Sequence, residues 1–194
     1  EVLRDALVSL AAREEAERVQ AGIMLVRNDD GDPVMGNPNG SLTVYEFSDY
    51  NCGYCKRMFA PIMQMLAAND DVRFVVKEFP ILSQSSVTAA KAGIAAQKQG
   101  QFKSFHAEMM TYRGQVNDVS IMQAAGAAGL DLAQLKQDMD SPETTAIIAR
   151  TRSAAAALNI NGTPGLVIGG TVMPGAIGIE ELQAVIDKER TEQG

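Results

Sequence analysis

The sequence predicts an α/β fold: a mixed central sheet with helices on both faces, an all-helical insertion in the second crossover and an N-terminal helix. Three observations carry this. Two runs rich in β-branched and aromatic residues, 42–47 and 72–77, flank a helical stretch, and a parallel pair joined in that way needs a crossover. From about Ser85 to Leu158 the pattern is helical throughout. Residues 166–169 and 171–173 meet at Gly169-Gly170, the signature of an antiparallel hairpin.

Taken in order, residues 1–21 read as a helix, with Leu3, Leu7 and Leu10 at helical spacing beside Val2 and Ala6. The stripe stops at Glu14, Glu15, Glu17 and Arg18, which read as a solvated segment. So short an apolar face does not stabilise an isolated helix, so it packs on the body or joins chains into an oligomer. Residues 27–41 are rich in Gly, Asn, Asp and Pro and read as a linker around one short edge strand near Val34. Residues 53–68 place Phe59, Ile62, Met63 and Leu66 at helical spacing. Breaks at Gly100, Gly114, Gly129 and Ser141-Pro142 divide the helical block, and Ser141 reads as an N-cap before Pro142 and Glu143. A last helix covers about residues 179–189, with Leu182, Val185 and Ile186 inward. The expected units are an arm over 1–26, a sheet domain over 27–84 and 159–194, and a helical subdomain over 85–158.

Composition narrows the function. With 24 acidic against 17 basic residues the chain carries a net charge of −7, which argues against nucleic-acid binding, since phosphate neutralisation needs a basic face. No apolar run is long enough to cross a bilayer. The first residue is Glu1, not Met, which reads as a mature or trimmed chain, in which a removed signal peptide would be invisible.

Both cysteines lie in Cys52-Gly53-Tyr54-Cys55, at the start of a helix that follows a strand. There, free N–H groups and the helix dipole favour the Cys52 thiolate, the attacking species in disulfide exchange. Cys55, one turn on, lies beside it and resolves a mixed disulfide. A structural zinc site needs four ligands, and the single His106 leaves this pair one short. A four-residue disulfide loop constrains the unfolded chain little. Redox exchange is the leading reading, with no cofactor beyond the Cys52–Cys55 disulfide. A metal site shared between chains, capture of a soft ion such as Cu(I), and a chaperone-like peptide binder stay open as alternatives. Lys56 and Arg57 read as solvated helix residues, and most of the ten methionines as core filler.

The segment from Glu46 through Cys55, with Lys77-Glu78-Phe79-Pro80-Ile81-Leu82, the helical insertion and the distant Gly162-Thr163-Pro164, resembles the DsbA-like form of the thioredoxin fold over residues 40–190. The N-terminal helix resembles the arm of its suppressor-of-copper-sensitivity and outer-membrane-antigen branch. The resemblance implies roles for individual residues. Cys52 is the nucleophile and Cys55 the resolving thiol. Gly53 and Tyr54 tune them; Tyr54 stands where several relatives carry His, which implies a less acidic Cys52 and a less oxidising disulfide. Pro164 is expected to be cis, exposing the Thr163 backbone to an extended substrate beside Cys52. Glu46 is expected to be a buried acid that relays a proton to or from Cys55, with Lys77 as its partner. The family places no catalytic histidine at His106. The implied activity is forming or isomerising disulfides in unfolded or misoxidised exported proteins. The implied partners include a membrane protein that reoxidises or reduces the chain, and a second copy joined through the N-terminal helix. The implied compartment is the bacterial periplasm, with an association to the outer membrane.

Overall fold

A computed structural model describes residues 2–193, with side chains from residue 3 to residue 192. Helix α1 (Val2–Arg27) leads into a short strand β1 (Val34–Gly36), followed by β2 (Leu42–Ser48), α2 (Gly53–Ala68) and β3 (Val72–Glu78). Five helices come next: α3 (Gln84–Lys98), α4 (Phe102–Thr111), α5 (Asp118–Ala127), α6 (Leu132–Met139) and α7 (Pro142–Ala157). The chain closes with β4 (Gly165–Ile168), β5 (Thr171–Pro174) and α8 (Ile179–Gln193).

The strands form one mixed sheet in the order β1-β3-β2-β4-β5. β2 and β3 run parallel, in register from Leu42 opposite Val72 to Ser48 opposite Glu78; all other pairs are antiparallel. Side chains alternate across this sheet. Val44, Phe74, Val76, Leu166 and Ile168 face α2 and α8, packing on Ile62, Met65, Leu182 and Ile186. Tyr45, Phe47, Val75 and Val167 face α1 and α7, against Ile23, Val26, Ala154 and Leu158. The hairpin turns at Gly169, whose φ of +60° suits glycine.

Helix α1 is longer than the sequence pattern predicts. Beyond the solvated segment a second stripe begins at Val19 and continues through Ile23 and Val26, and it packs on α7. Gly22 marks the crossing: a Cβ there would stand 2.5 Å from Leu158 Cδ2. The first stripe stays bare, with Leu3 73%, Leu7 57% and Leu10 52% exposed.

The helices α3 to α6 enclose an alanine-rich core with Phe105, Met109, Ile121 and Leu135 at its centre, and α7 packs on α3 through Ile147 and Ile148. Ser141 caps α7 by accepting from the Thr144 N–H at 3.2 Å, with Pro142 in the first turn. Tyr50, Cys52 and Cys55 belong to this same core. The thiols therefore sit at the seam between the sheet and the helical block.

Candidate active site

Strand β2 carries the chain to the seam and releases it at Ser48. The loop that follows is fastened by one carboxylate. Buried Asp49 accepts the N–H groups of Asn51 (2.8 Å), Ile81 (2.9 Å) and Leu82 (3.1 Å) and the Ser86 hydroxyl (2.7 Å). Asn51 Nδ2 lies 3.0, 3.1 and 2.9 Å from the hydroxyls of Ser83, Ser85 and Ser86; its two protons serve two of them at a time. The start of α3 thus holds the loop that presents Cys52.

Cys52 is the N-cap of α2, with φ −79° and ψ 113°, and its Sγ accepts the Cys55 N–H at 3.3 Å. Both thiols are free and buried. A hydrogen bond from Cys55 holds Cys52 down to about 5, helped against burial by the Thr163 side chain and the N–H groups of Cys55 and Tyr54. The same bond, with burial and the charge of Glu46, keeps Cys55 far above the ordinary thiol range. At neutral pH the pair holds one proton, on Cys55.

The Thr163–Pro164 bond is cis, and the Thr163 carbonyl oxygen lies 3.2 Å from Cys52 Sγ. A shallow cavity of about 300 Å³ runs from Ile160 past Thr163 and Pro164 to Val172 and Pro174. Tyr54 points outward, 60% exposed, and Gly53 is exposed beside it.

Glu46 lies in the middle of the sheet, opposite Val76 and Leu166, and is 1% exposed. Among the described residues its Oε1 has no hydrogen-bond partner. Burial first, then the charge of Cys52, pushes its carboxyl up to about 8. Lys77 is not its partner. Lys77 stands opposite Phe47, one residue out of phase with Glu46, so its side chain leaves the sheet on the other face. There its ammonium donates to Asp32 Oδ2 at 2.6 Å, and Arg150 Nη2 donates to the same oxygen at 3.0 Å.

On the Glu46 face stands a group that residue spacing does not reveal. The Tyr50 hydroxyl donates to Glu78 Oε1 at 3.0 Å, and His106 Nδ1 lies 3.0 Å from the same hydroxyl. Burial lowers His106 to about 3, and raises Glu78 well above the carboxylate range. His106 is therefore a neutral wall of the thiol core. The useful sequence signal was the parity of Glu78 with Glu46 along paired strands.

A family model described as thioredoxin matches residues 28–188. The chain belongs to the thioredoxin family. Its form is DsbA-like, with the helical block set into the second crossover. It is similar to a thioredoxin-like oxidoreductase from Silicibacter pomeroyi DSS-3, with 41% identity and a TM-score of 0.82 over 86% of this chain and 96% of that one. A periplasmic thioredoxin-like protein from Salmonella enterica serovar Typhimurium is 29% identical, with a TM-score of 0.79 over 87% of this chain and 95% of that one. Among curated relatives, a Na(+)/H(+) antiporter of Mycolicibacterium gilvum is 30% identical over 156 residues, which are 77% of this chain and 25% of the antiporter. The chain spans about a quarter of the length of the curated relatives it matches.

Proposed function

We propose that this chain exchanges disulfides with exported polypeptides through Cys52 and Cys55. The observation that carries the reading is the arrangement of one thiol pair: Cys52 at a helix N-cap, its Sγ accepting the Cys55 N–H, and Cys55 covered behind it. In the oxidising direction a substrate thiolate attacks Cys52 Sγ of the disulfide. The S–S electron pair leaves on Cys55, which takes a proton. A second substrate thiol, having lost its own proton, then displaces Cys52 as the thiolate. In the reverse direction the Cys52 thiolate attacks a substrate disulfide, and Cys55 expels the product. Glu46, whose carboxyl burial pushes up, is the store from which Cys55 is protonated, through water. The Thr163 backbone beside Sγ and the cavity along Ile160 and Val172 hold an extended chain. The chemistry suits an oxidising compartment such as the periplasm, served by a membrane redox partner.

Whether the chain donates or shuffles disulfides is tied to the bare stripe of α1. Leu3, Leu7 and Leu10 repeat at the four-then-three spacing of a coiled-coil seam, so the occupant that fits is the same stripe of a second copy. An assembled chain favours isomerisation.

The test is trapping with a reduced polypeptide in a glutathione buffer. Cys55→Ser is expected to accumulate a mixed disulfide on Cys52, and Cys52→Ser to show neither adduct nor turnover. Full turnover by Cys55→Ser without an adduct rejects the mechanism. Recovery of scrambled as well as reduced ribonuclease assigns the isomerase direction; oxidation of the reduced form alone assigns disulfide donation.

A further inference from the structure

Two cations, Lys56 and Arg57, stand near the N-terminus of α2, and a third, Arg113, follows the α4 C-cap residue Tyr112 that Lys56 touches. The Arg57 guanidinium stacks on the exposed Tyr54 ring, 4.1 Å from its centroid. Its Nη1 lies 3.9 Å from where a Cβ on Gly53 would stand. Lys56 Nζ donates to the Tyr112 carbonyl at 2.7 Å and sits 5.9 Å from the Tyr112 ring. Gly114 lets that ring fold back: a Cβ there would stand 2.4 Å from the Tyr112 hydroxyl oxygen. Arg113, next along, is near enough that its charge, after burial, holds the Lys56 ammonium below its ordinary range.

None of the three makes an ion pair among the described residues, and neither do Glu108 and Asp118, the acids flanking this stretch in sequence. Lys56 serves the C-terminus of α4 through the Tyr112 carbonyl, yet both it and Arg57 stand near the N-terminus of α2, where a cation opposes the helix dipole and no acid in the first turn offsets it. Nor do they lead the causes that keep Cys52 ionised, which are hydrogen bonds. Arg57 and Arg113 are exposed, which leaves their guanidinium groups open to a partner outside the chain.

We propose that Lys56, Arg57 and Arg113, backed by Tyr54 and Tyr112, form a recognition patch beside Cys52 that selects polypeptide thiols flanked by acidic residues. The proposal rests on the exchange reading and names its substrate class. Arg57 is pre-set by its stack on Tyr54, so its fork meets a carboxylate with little ordering to do. The positive rim raises the local concentration of an acidic chain at the nucleophile, an effect that salt weakens.

The test compares two reduced dithiol peptides that differ only in flanking residues, Glu in one and Lys in the other. Each oxidises to its internal disulfide as Cys52–Cys55 becomes a dithiol. Each rate is divided by that peptide's rate with neutral hydroxyethyl disulfide, which removes differences in thiol acidity. At low salt the Glu peptide is expected to react roughly tenfold faster or more, the gap closing at high salt. Arg113→Glu, in the loop after α4 and not on the helix that carries the sulfurs, is expected to shrink the preference severalfold while exchange with neutral dithiothreitol is unchanged. Equal rates for the two peptides, or a preference that survives both salt and Arg113→Glu, overturn the patch. Loss of exchange with dithiothreitol by the unaltered protein sinks the exchange reading, and the patch with it.

Discussion

Glu46 and Cys52 pull the stability of the reduced protein in opposite directions as pH changes. Glu46, raised from 4.5 to about 8 mainly by burial, contributes stability while protonated, and loses it as pH climbs from 4.5 through 8. Cys52, lowered from 9.0 to about 5, contributes stability at high pH and loses it as pH falls from 9.0 through 5. Oxidation removes the Cys52 thiol, leaving the Glu46 slope exposed. Urea melts of the oxidised protein are therefore expected to weaken from pH 5 to pH 8, by on the order of a few kcal/mol. Glu46→Gln is expected to flatten that decline and to slow the step that protonates Cys55. Parallel pH curves for the two proteins reject a buried ionisable Glu46, and an unchanged rate of that step rejects its relay role. At this scale the motif was legible because cysteine is scarce and its spacing informative. Asp49, Asn51 and the serines of α3 were not, since their bonds join residues about 30 positions apart in loops without periodicity.

At the scale of the elements, α1 is two helices in one. Its first half offers the Leu3, Leu7 and Leu10 stripe to solvent; its second half docks on α7. Leu7→Glu is expected to bring the light-scattering mass of an assembled protein down to that of one chain, without changing its single-chain melting. A mass unaffected by the substitution argues against an assembly through this stripe. The sequence made the first stripe plain and hid the second, because Glu14 to Arg18 interrupt the pattern and Gly22 lacks the side chain that would continue it. Strands β2 and β3, the hairpin and the Ser141 cap were legible for the reverse reason. Each is specified locally, by β-branched content, a Gly-Gly turn or a capping hydroxyl.

Across the whole molecule, Asp32 ties three parts together. It lies in the loop before β1, and it accepts from Lys77 on β3 and Arg150 on α7. Asp32 and Lys77 are fully buried, so removing one partner leaves the other charge uncompensated. Asp32→Ala is expected to cost about 3–5 kcal/mol in urea unfolding, while Lys77→Met, which leaves Asp32 with Arg150, costs less. Equal small losses reject a central role for this ion group. Below the unfolding transition, disulfide exchange is expected to proceed in both variants, since the group lies across the sheet from the thiols. That separation was not legible in Lys77 itself. It depends on the pairing of β2 with β3, and a strand tells its two faces apart only by counting.

The counting has a consequence for how this chain tolerates changes of length. Substitutions in β3 alter one face at a time. A single residue inserted between Val72 and Val76 would turn every later side chain over, sending an ammonium towards the sulfurs and the Glu78 carboxyl towards α7. Variation in length in this half of the protein therefore belongs in the joints between the inserted helices, where no such inversion is propagated.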